Sequence, residues 1–164
     1  MALAFIALGS NLGDGRANLL KAWQELKGGG ITPLALSSPY KTAPVGMTSS
    51  SWFTNAVGMV ETTKTPASLL NTLLELETEM GRNRARGMDR IIDLDILYYN
   101  DLVCHDRDLD LPHPEIENRL FVLAPLAELA PDHRHPANGL SSRQMLRRLE
   151  SRNHDQQIKK TTWK

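Results

Sequence analysis

An α+β domain with a ferredoxin-like βαββαβ core follows from three observations on this 164-residue chain. Two stretches carry apolar residues at helical spacing, and each lies between extended, β-rich stretches, giving strand, helix, strand, strand, helix, strand. Both helical stretches have start and stop residues of their own. Further helical pattern follows the second unit, so a mainly antiparallel sheet is expected to carry additional C-terminal strands and helices.

The first strand spans about residues 2 to 8, an apolar run that stops at the turn-rich "GSNLGDG". Asp14 is placed to cap a helix in which Leu19, Leu20, Trp23 and Leu26 recur at helical spacing, and Gly28, Gly29 and Gly30 end it. "ITPLALSSPYKT" is a second extended segment broken by prolines, and "WFTNAVGMVE" is a third strand. Thr65 and Pro66 open a second helix with Leu69, Leu70, Leu73, Leu74 and Glu77 on neighbouring positions of one face, closed by Gly81. The arginine-rich "RNRARGMDR" enters a fourth strand, "RIIDLDILYY". Beyond it come the loop "LPHP", an apolar helix around "RLFVLAPLAELA", and a last helix for which Ser141 and Gln144 form a capping box.

Length and composition describe one domain over residues 1–164, its core at about 2–132 and its tail from about 153 polar, with nothing to bury. Apolar residues make up 41% and charged residues 23%, ordinary globular values. Lys plus Arg and Asp plus Glu both number 19, so no global field draws nucleic acid or an anionic membrane. The single cysteine, Cys104, excludes an internal disulfide, suits a reducing cytoplasm, and reads as a small buried hydrophobe. The first residues lack a basic region ahead of their apolar run and read as a strand, not a signal peptide. No apolar run is long enough to span a bilayer.

Asp93 and Asp95 interrupt an otherwise apolar strand, and alternate strand residues share a face. About 6.6 Å of strand separates them, so two carboxylates face one small volume and call for a cation. An isolated D-x-D pair reads as a solvated edge, since carboxylates are mostly surface residues. Here Arg82, Arg84, Arg86 and Arg90 crowd the connection just before it. Guanidinium forks bind phosphate oxygens, and carboxylates hold hard cations such as magnesium. The bland alternative for the arginines is a solvated loop or ion pairs with Glu75, Glu77 and Glu79. Neither the phosphate-cradling G-x-x-x-x-G-K-[ST] loop nor a dinucleotide glycine pattern is present, so "GSNLGDG" is read as a turn.

Phe53 and Asn55 share a strand face, and Phe121 opens a later helix. Lone aromatics usually belong to a core, but an amide beside an aromatic can read the edge of a flat heterocycle while the ring stacks. His113, between two prolines, and Arg119 form a third group, which alone would read as a turn histidine and a surface arginine. His105, His133 and His135 are read as surface residues, having no metal-ligand spacing. A metal-dependent nucleotidyl or phosphoryl transferase fits these groups. An RNA-binding sheet does not, for want of its aromatic and basic pattern.

"ALGSNLGD", "SSPYKTAPVG", "FTNAV", "LLELETEMGRNR", "RIIDLDILYYND" and "LPHPEIENRLFVLAPLAELAP" together resemble the 6-hydroxymethyl-7,8-dihydropterin pyrophosphokinase family of folate biosynthesis, in order from about residue 4 to 131. The resemblance implies transfer of pyrophosphate from ATP to the hydroxymethyl group of the pterin, with release of AMP. It implies that Asp93 and Asp95 hold two magnesium ions bridging the triphosphate. It stacks the pterin between Phe53 and Phe121, hydrogen-bonds its edge to Asn55 and Thr42, and completes the pocket with backbone from Ala43, Pro44 and Val45. Arg82, Arg90, His113 and Arg119 match ATP- and phosphate-contacting positions, Arg82 and Arg90 acting in catalysis. Arg84, Glu77 and Ile96 belong to the nucleotide side. "RNRARGMDR" is about two residues shorter than the family's common R-x-R-x-x-R-W-G-P-R and lacks its tryptophan and proline. The implied partners are small molecules only, ATP and the pterin, with no nucleic acid or membrane, for a monomeric cytoplasmic enzyme.

Overall fold

Alternating apolar residues on both faces of the first strand force it to the middle of a sheet covered on both sides, and the fold is built around it. The computed structural model describes residues 1–43, 52–81, 91–152 and 155–164. In chain order the elements are β1 (Ala2–Ser10), α1 (Gly15–Glu25), β2 (Ile31–Leu36), β3 (Tyr40–Thr42), β4 (Phe53–Thr62), α2 (Pro66–Glu79) and β5 (Asp93–Tyr99). The short pair β6 (Cys104–His105) and β7 (Asp110–Leu111) follows, then α3 (Leu120–Leu129), α4 (Ser142–Ser151) and β8 (Ile158–Lys160).

The main sheet runs β5-β1-β4-β3-β8, with β2 also paired to β4, and its pairings are antiparallel. β2 and β3 lie end to end along the same side of β4, so the extended segment broken by prolines behaves as one interrupted strand. With the two merged, the order β5-β1-β4-β2/β3 is that of the ferredoxin-like unit, and the expected α+β class holds.

Local signals start the helices where the sequence places them. The Asp14 carboxylate accepts the Ala17 N–H at 3.2 Å, and the Thr65 hydroxyl accepts the Ser68 N–H at 3.2 Å ahead of Pro66. Ser141 and Gln144 form the expected capping box, with bonds of 3.1 and 2.8 Å.

α1 and α2 pack on one face of the sheet, where Leu19, Ala22, Leu69 and Leu73 meet Ala4, Ile6, Leu8, Leu94 and Ile96 in a fully buried layer. Gly58 on β4 allows close approach there, since the Trp23 ring occupies the place a Cβ would take. α3 and α4 cover the other face, setting Val122, Leu123, Leu126, Met145 and Leu149 against Phe5, Val57 and Tyr98. The register between β1 and β5 shifts once: Ile6 faces Ile96 but Phe5 faces Tyr98, leaving Leu97 as an extra residue. Leu97 and Tyr98 consequently both join the α3 layer, while Asp93 and Asp95 precede the bulge.

Three readings of the sequence need correction. The tail is polar in composition but does bury part of itself: Ile158–Lys160 adds β8 to the sheet, and Trp163 packs on the α1 layer with its indole N–H donating to Ser37 O at 3.1 Å. His133 and His135 are not surface residues. The His133 ring lies 4.8 Å from Phe5 and 4.7 Å from Tyr98, and His135 is buried with Nδ1 accepting the N–H groups of Ala137 and Asn138. β1 continues through Gly9 and Ser10, which the sequence assigned to a turn. Cys104 is half-buried, its thiol donating to Asp106 at 3.1 Å. No described helix is long and apolar enough to cross a membrane.

Candidate active site

Where β1 runs between β4 and β5, its residues toward α3 shrink to Ala7 and Gly9, and the sheet there forms the floor of a cavity of about 670 Å³. Gly9 lies opposite Asn55 on one side and Asp93 on the other, while Ala7 lies opposite Val57 and Asp95. Asn55, Gly9 and Asp93 therefore form one row across three strands. The amide and the first carboxylate are about 10 Å apart, two strand spacings. A Cβ on Gly9 would sit 2.8 Å from Asn55 Oδ1, so the glycine is needed for the amide to lie over the strand.

The carboxylate end is held from two directions. Among the described residues β5 is the sheet's edge, and no described strand receives the N–H groups on its outer side. The Glu77 carboxylate, 1% exposed, accepts the Leu94 N–H at 2.9 Å and fixes the strand between Asp93 and Asp95 to α2. The extra residue Leu97 uses its carbonyl to accept the His113 N–H at 2.9 Å, docking the "LPHP" loop against β5. His113 Nδ1 accepts the Glu115 N–H at 3.1 Å, so the neutral ring carries its proton on Nε2. Burial and then the Arg119 charge lower the His113 pKa, and Glu115, Asp110 and Asp93 oppose this. A neutral N–H donor and a guanidinium thus border the same cavity as two carboxylates.

Asn55 Nδ2 donates to Thr42 Oγ1 at 2.8 Å, and both residues are buried, so the amide is held before any ligand arrives. Phe53 on β4 and Phe121 at the start of α3 both line the cavity, and the Arg119 guanidinium lies 5.6 Å from the centre of the Phe121 ring. The cavity therefore offers an amide and aromatic walls at one end, with the Arg119 guanidinium beside the Phe121 ring, and oxygen ligands at the other.

Comparison with known proteins gives the family. The profile of the 7,8-dihydro-6-hydroxymethylpterin-pyrophosphokinase family matches residues 5–131. The chain belongs to this family. A Methylorubrum extorquens protein named 2-amino-4-hydroxy-6-hydroxymethyldihydropteridine pyrophosphokinase is 43% identical over 134 residues, 80% of this chain and 85% of the relative. A Bacillus subtilis protein of the same name is 41% identical over 129 residues, 77% of each chain. A Dictyostelium discoideum folic acid synthesis protein is 35% identical over 144 residues, 87% of this chain but only 22% of that protein. Among solved structures, a Plasmodium falciparum HPPK-DHPS with pteroate superposes with a TM-score of 0.74 at 15% identity, covering 90% of this chain and 42% of its own. That likeness concerns the fold alone, and this chain spans under half of the solved protein.

Within the family frame, the structure brings together Thr42, Ala43, Phe53, Asn55, Glu77, Asp93, Asp95, His113, Arg119 and Phe121 around one cavity. It does not bring Ile96 there. Ile96 is 4% exposed in the layer under α1 and α2, because strand alternation turns its side chain away from the two aspartates. Pro44, Val45, Arg82, Arg84, Arg86 and Arg90 lie outside the described residues. Sequence reasoning missed Ala7, Gly9, Glu115, Asn118 and Gln156, which also line the cavity. The signal for the first two was weak, because β1 also carries the small residues Ala2, Ala4 and Ser10. Gln156 left no local signal, since it arrives from the far end of the chain.

Among the described residues no group of three or more His, Cys, Asp or Glu side chains stands ready to hold a metal. Asp93 and Asp95 fit magnesium in another way, as hard oxygen donors beside a space large enough for phosphates and water to complete an octahedron.

Proposed function

We infer that the family's reaction takes place in this cavity, with the pterin at the Asn55 end and the ATP phosphates at the aspartate end. The chain is a pyrophosphokinase of folate biosynthesis. It transfers pyrophosphate from ATP to the hydroxymethyl group of 6-hydroxymethyl-7,8-dihydropterin and releases AMP. The row Asn55–Gly9–Asp93 carries the assignment to this site, since it sets a heterocycle reader and an oxygen ligand on one face, about 10 Å apart.

Phe53 and Phe121 stack the pterin in this reading, while Asn55 and Thr42 read its edge with the backbone of Ala43 and its successors Pro44 and Val45. Because Asn55 Nδ2 already donates to Thr42, its Oδ1 is the acceptor offered to a pterin N–H. Asp93 and Asp95 would hold two magnesium ions, which would supply charge neutralisation for the triphosphate. His113 donates from Nε2 to a phosphate oxygen, and Arg119 with Arg82, Arg84 and Arg90 balances the charge that builds on the phosphates. Glu77 serves the nucleotide side indirectly, by holding the aspartate strand through Leu94. Any contact from Ile96 would be through its backbone.

The hydroxymethyl oxygen attacks the β-phosphorus in line. One P–O bond forms, the bond between the β-phosphorus and the oxygen bridging to the α-phosphate breaks, the hydroxyl proton leaves, and AMP departs with the bridging oxygen. No covalent enzyme intermediate is needed. The enzyme acts as a monomer in this reading, and the lone thiol supports a reducing compartment, the cytoplasm. The test supplies ATP, magnesium and the reduced hydroxymethylpterin and resolves the nucleotide products. AMP formed in step with pterin diphosphate supports the reading; ADP, or no pterin-dependent turnover, refutes it.

A further inference from the structure

The cavity's walls are tied together by residues far beyond the segment that carries the family's pattern. α3 begins without a local cap: Arg119 stands at the capping position and its side chain makes no capping bond. The first N–H groups of a helix need acceptors from outside the helix. Gln156 provides one, its Oε1 accepting the Leu120 N–H at 2.7 Å while its Nε2 donates to Asn118 O at 2.9 Å. The two bonds bracket Arg119 and fix the first turn of α3, from which Phe121 projects. The next residue serves the opposite wall. Gln157 O accepts the Ala43 N–H at 3.2 Å, and β8 then pairs Ile158 with Thr42.

The segment is itself well fastened. Lys160 Nζ lies 3.3 Å from Glu128, whose carboxylate also accepts the Tyr40 hydroxyl at 2.7 Å. Trp163 donates to Ser37 O, and Arg16 donates to the carbonyls of Thr162 and Lys164 at 3.0 and 3.2 Å. Four anchors, on α3, on α1 and on the connection between β2 and β3, are more than a solvated tail needs. The two residues they lead back to touch both walls of the cavity.

We propose that Gln156 is a positioning residue for pterin binding: through Leu120 and Asn118 it sets the Phe121 wall at a fixed distance from the Thr42–Ala43 wall. The inference rests on the pterin lying between these walls, as proposed above. Free of Gln156, the first turn of α3 loses its only side-chain cap among the described residues, and the Phe121 ring loses its fixed seat.

The test compares full-length Gln156→Met, which keeps the volume and removes both hydrogen bonds, with Gln156→Ala, Trp163→Phe and Asn55→Ala. Calorimetry measures reduced hydroxymethylpterin and a non-hydrolysable ATP analogue with magnesium separately, well below each variant's melting temperature. Both Gln156 variants should bind pterin about tenfold more weakly, the scale of two lost ordinary hydrogen bonds, with ATP affinity changed less than threefold. Trp163→Phe loosens the far end of the same segment and should lower the melting temperature while leaving pterin affinity within twofold. Wild-type pterin affinity in Gln156→Met overturns the proposal, as do equal losses for both ligands. If Asn55→Ala weakens pterin binding and the Gln156 variants do not, the positioning role alone falls. If none of the variants does, the pterin assignment of the cavity falls with it.

Discussion

The two faces of the sheet are built from the same strands and come to different ends. Toward α1 and α2, β1 presents Ala4, Ile6 and Leu8, and β5 presents Leu94 and Ile96, all within a closed apolar layer. Toward α3, the same strands present Phe5, Ala7 and Gly9, then Leu97, Asp95 and Asp93, and the layer is closed only at the Phe5 end. The single extra residue in β5 marks the boundary between closed and open regions. A strand pair can thus serve as core on one side and as a site on the other, if side-chain size falls off along one face only. Substitutions on the two faces should separate stability from chemistry.

Asp93→Ala and Asp95→Ala should give the largest effect. Each removes an oxygen ligand at the phosphate end, and turnover should fall by about a thousandfold or more, roughly 4 kcal/mol of barrier. Melting temperatures should hardly move, because neither carboxylate belongs to the closed layer. Steady-state AMP release with a thermal melt checks this, and more than about a tenth of wild-type turnover in either variant would end the two-metal reading.

The mirror experiment is Leu73→Ala. Leu73 of α2 is fully buried on the closed face, so the variant should lose about 2–5 kcal/mol of folding stability. Because Leu73 itself does not line the cavity, pterin and ATP affinities of the folded fraction should be close to wild type. Urea unfolding and calorimetry on one preparation measure both quantities. A selective loss of one ligand would show that the faces are not independent.

Asn55→Ala tests the open face at its other end. Removing the amide held over Gly9 leaves a polar atom of the heterocycle edge unmatched, which should cost about 1–3 kcal/mol of pterin binding and nearly nothing for ATP. Titration with each ligand alone decides it, and equal losses would make Asn55 a structural residue.

What was legible in the sequence was what is written locally. Asp14, Thr65 with Pro66, and Ser141 with Gln144 start helices through bonds to residues three positions on, so short-range reading finds them. The shared face of Asp93 and Asp95 follows from strand alternation alone. Ile96 shows the limit of carrying a position over: its neighbour faces the cavity, and alternation turns Ile96 itself into the core. Gly9 was misread because a glycine near Asn and Asp signals a turn, whereas here it answers a close approach by a side chain from another strand. Gln156, Trp163 and His133 have partners far along the chain or in rings on other elements, and no local spacing announces them.

His133 and His135 supply the smallest expected effect, at the closed end of the α3 face. Burial lowers the pKa of both His133 and His135; for His133 the neighbouring His135 lowers it too, with Asp101 opposing, and for His135 the opposing charge is Glu117. Each ring therefore holds its proton less readily in the folded chain than in the unfolded one. As pH falls below the ordinary histidine value of about 6.5, the unfolded state takes up more protons, so stability present above that value is progressively lost. The loss levels off once pH passes below the folded pKa values. His133 Nε2 is buried without a hydrogen-bond partner among the described residues, so a proton placed there would have no acceptor. His133→Phe keeps a ring against Phe5 and Tyr98 and removes the titration. Urea midpoints at pH 7.5 and pH 5.5 should therefore differ less in the variant than in the wild type, with His113 and His135 leaving a residual slope. An unchanged difference would mean that the ring contributes packing alone, and that the closed end of this face does not respond to acid through His133.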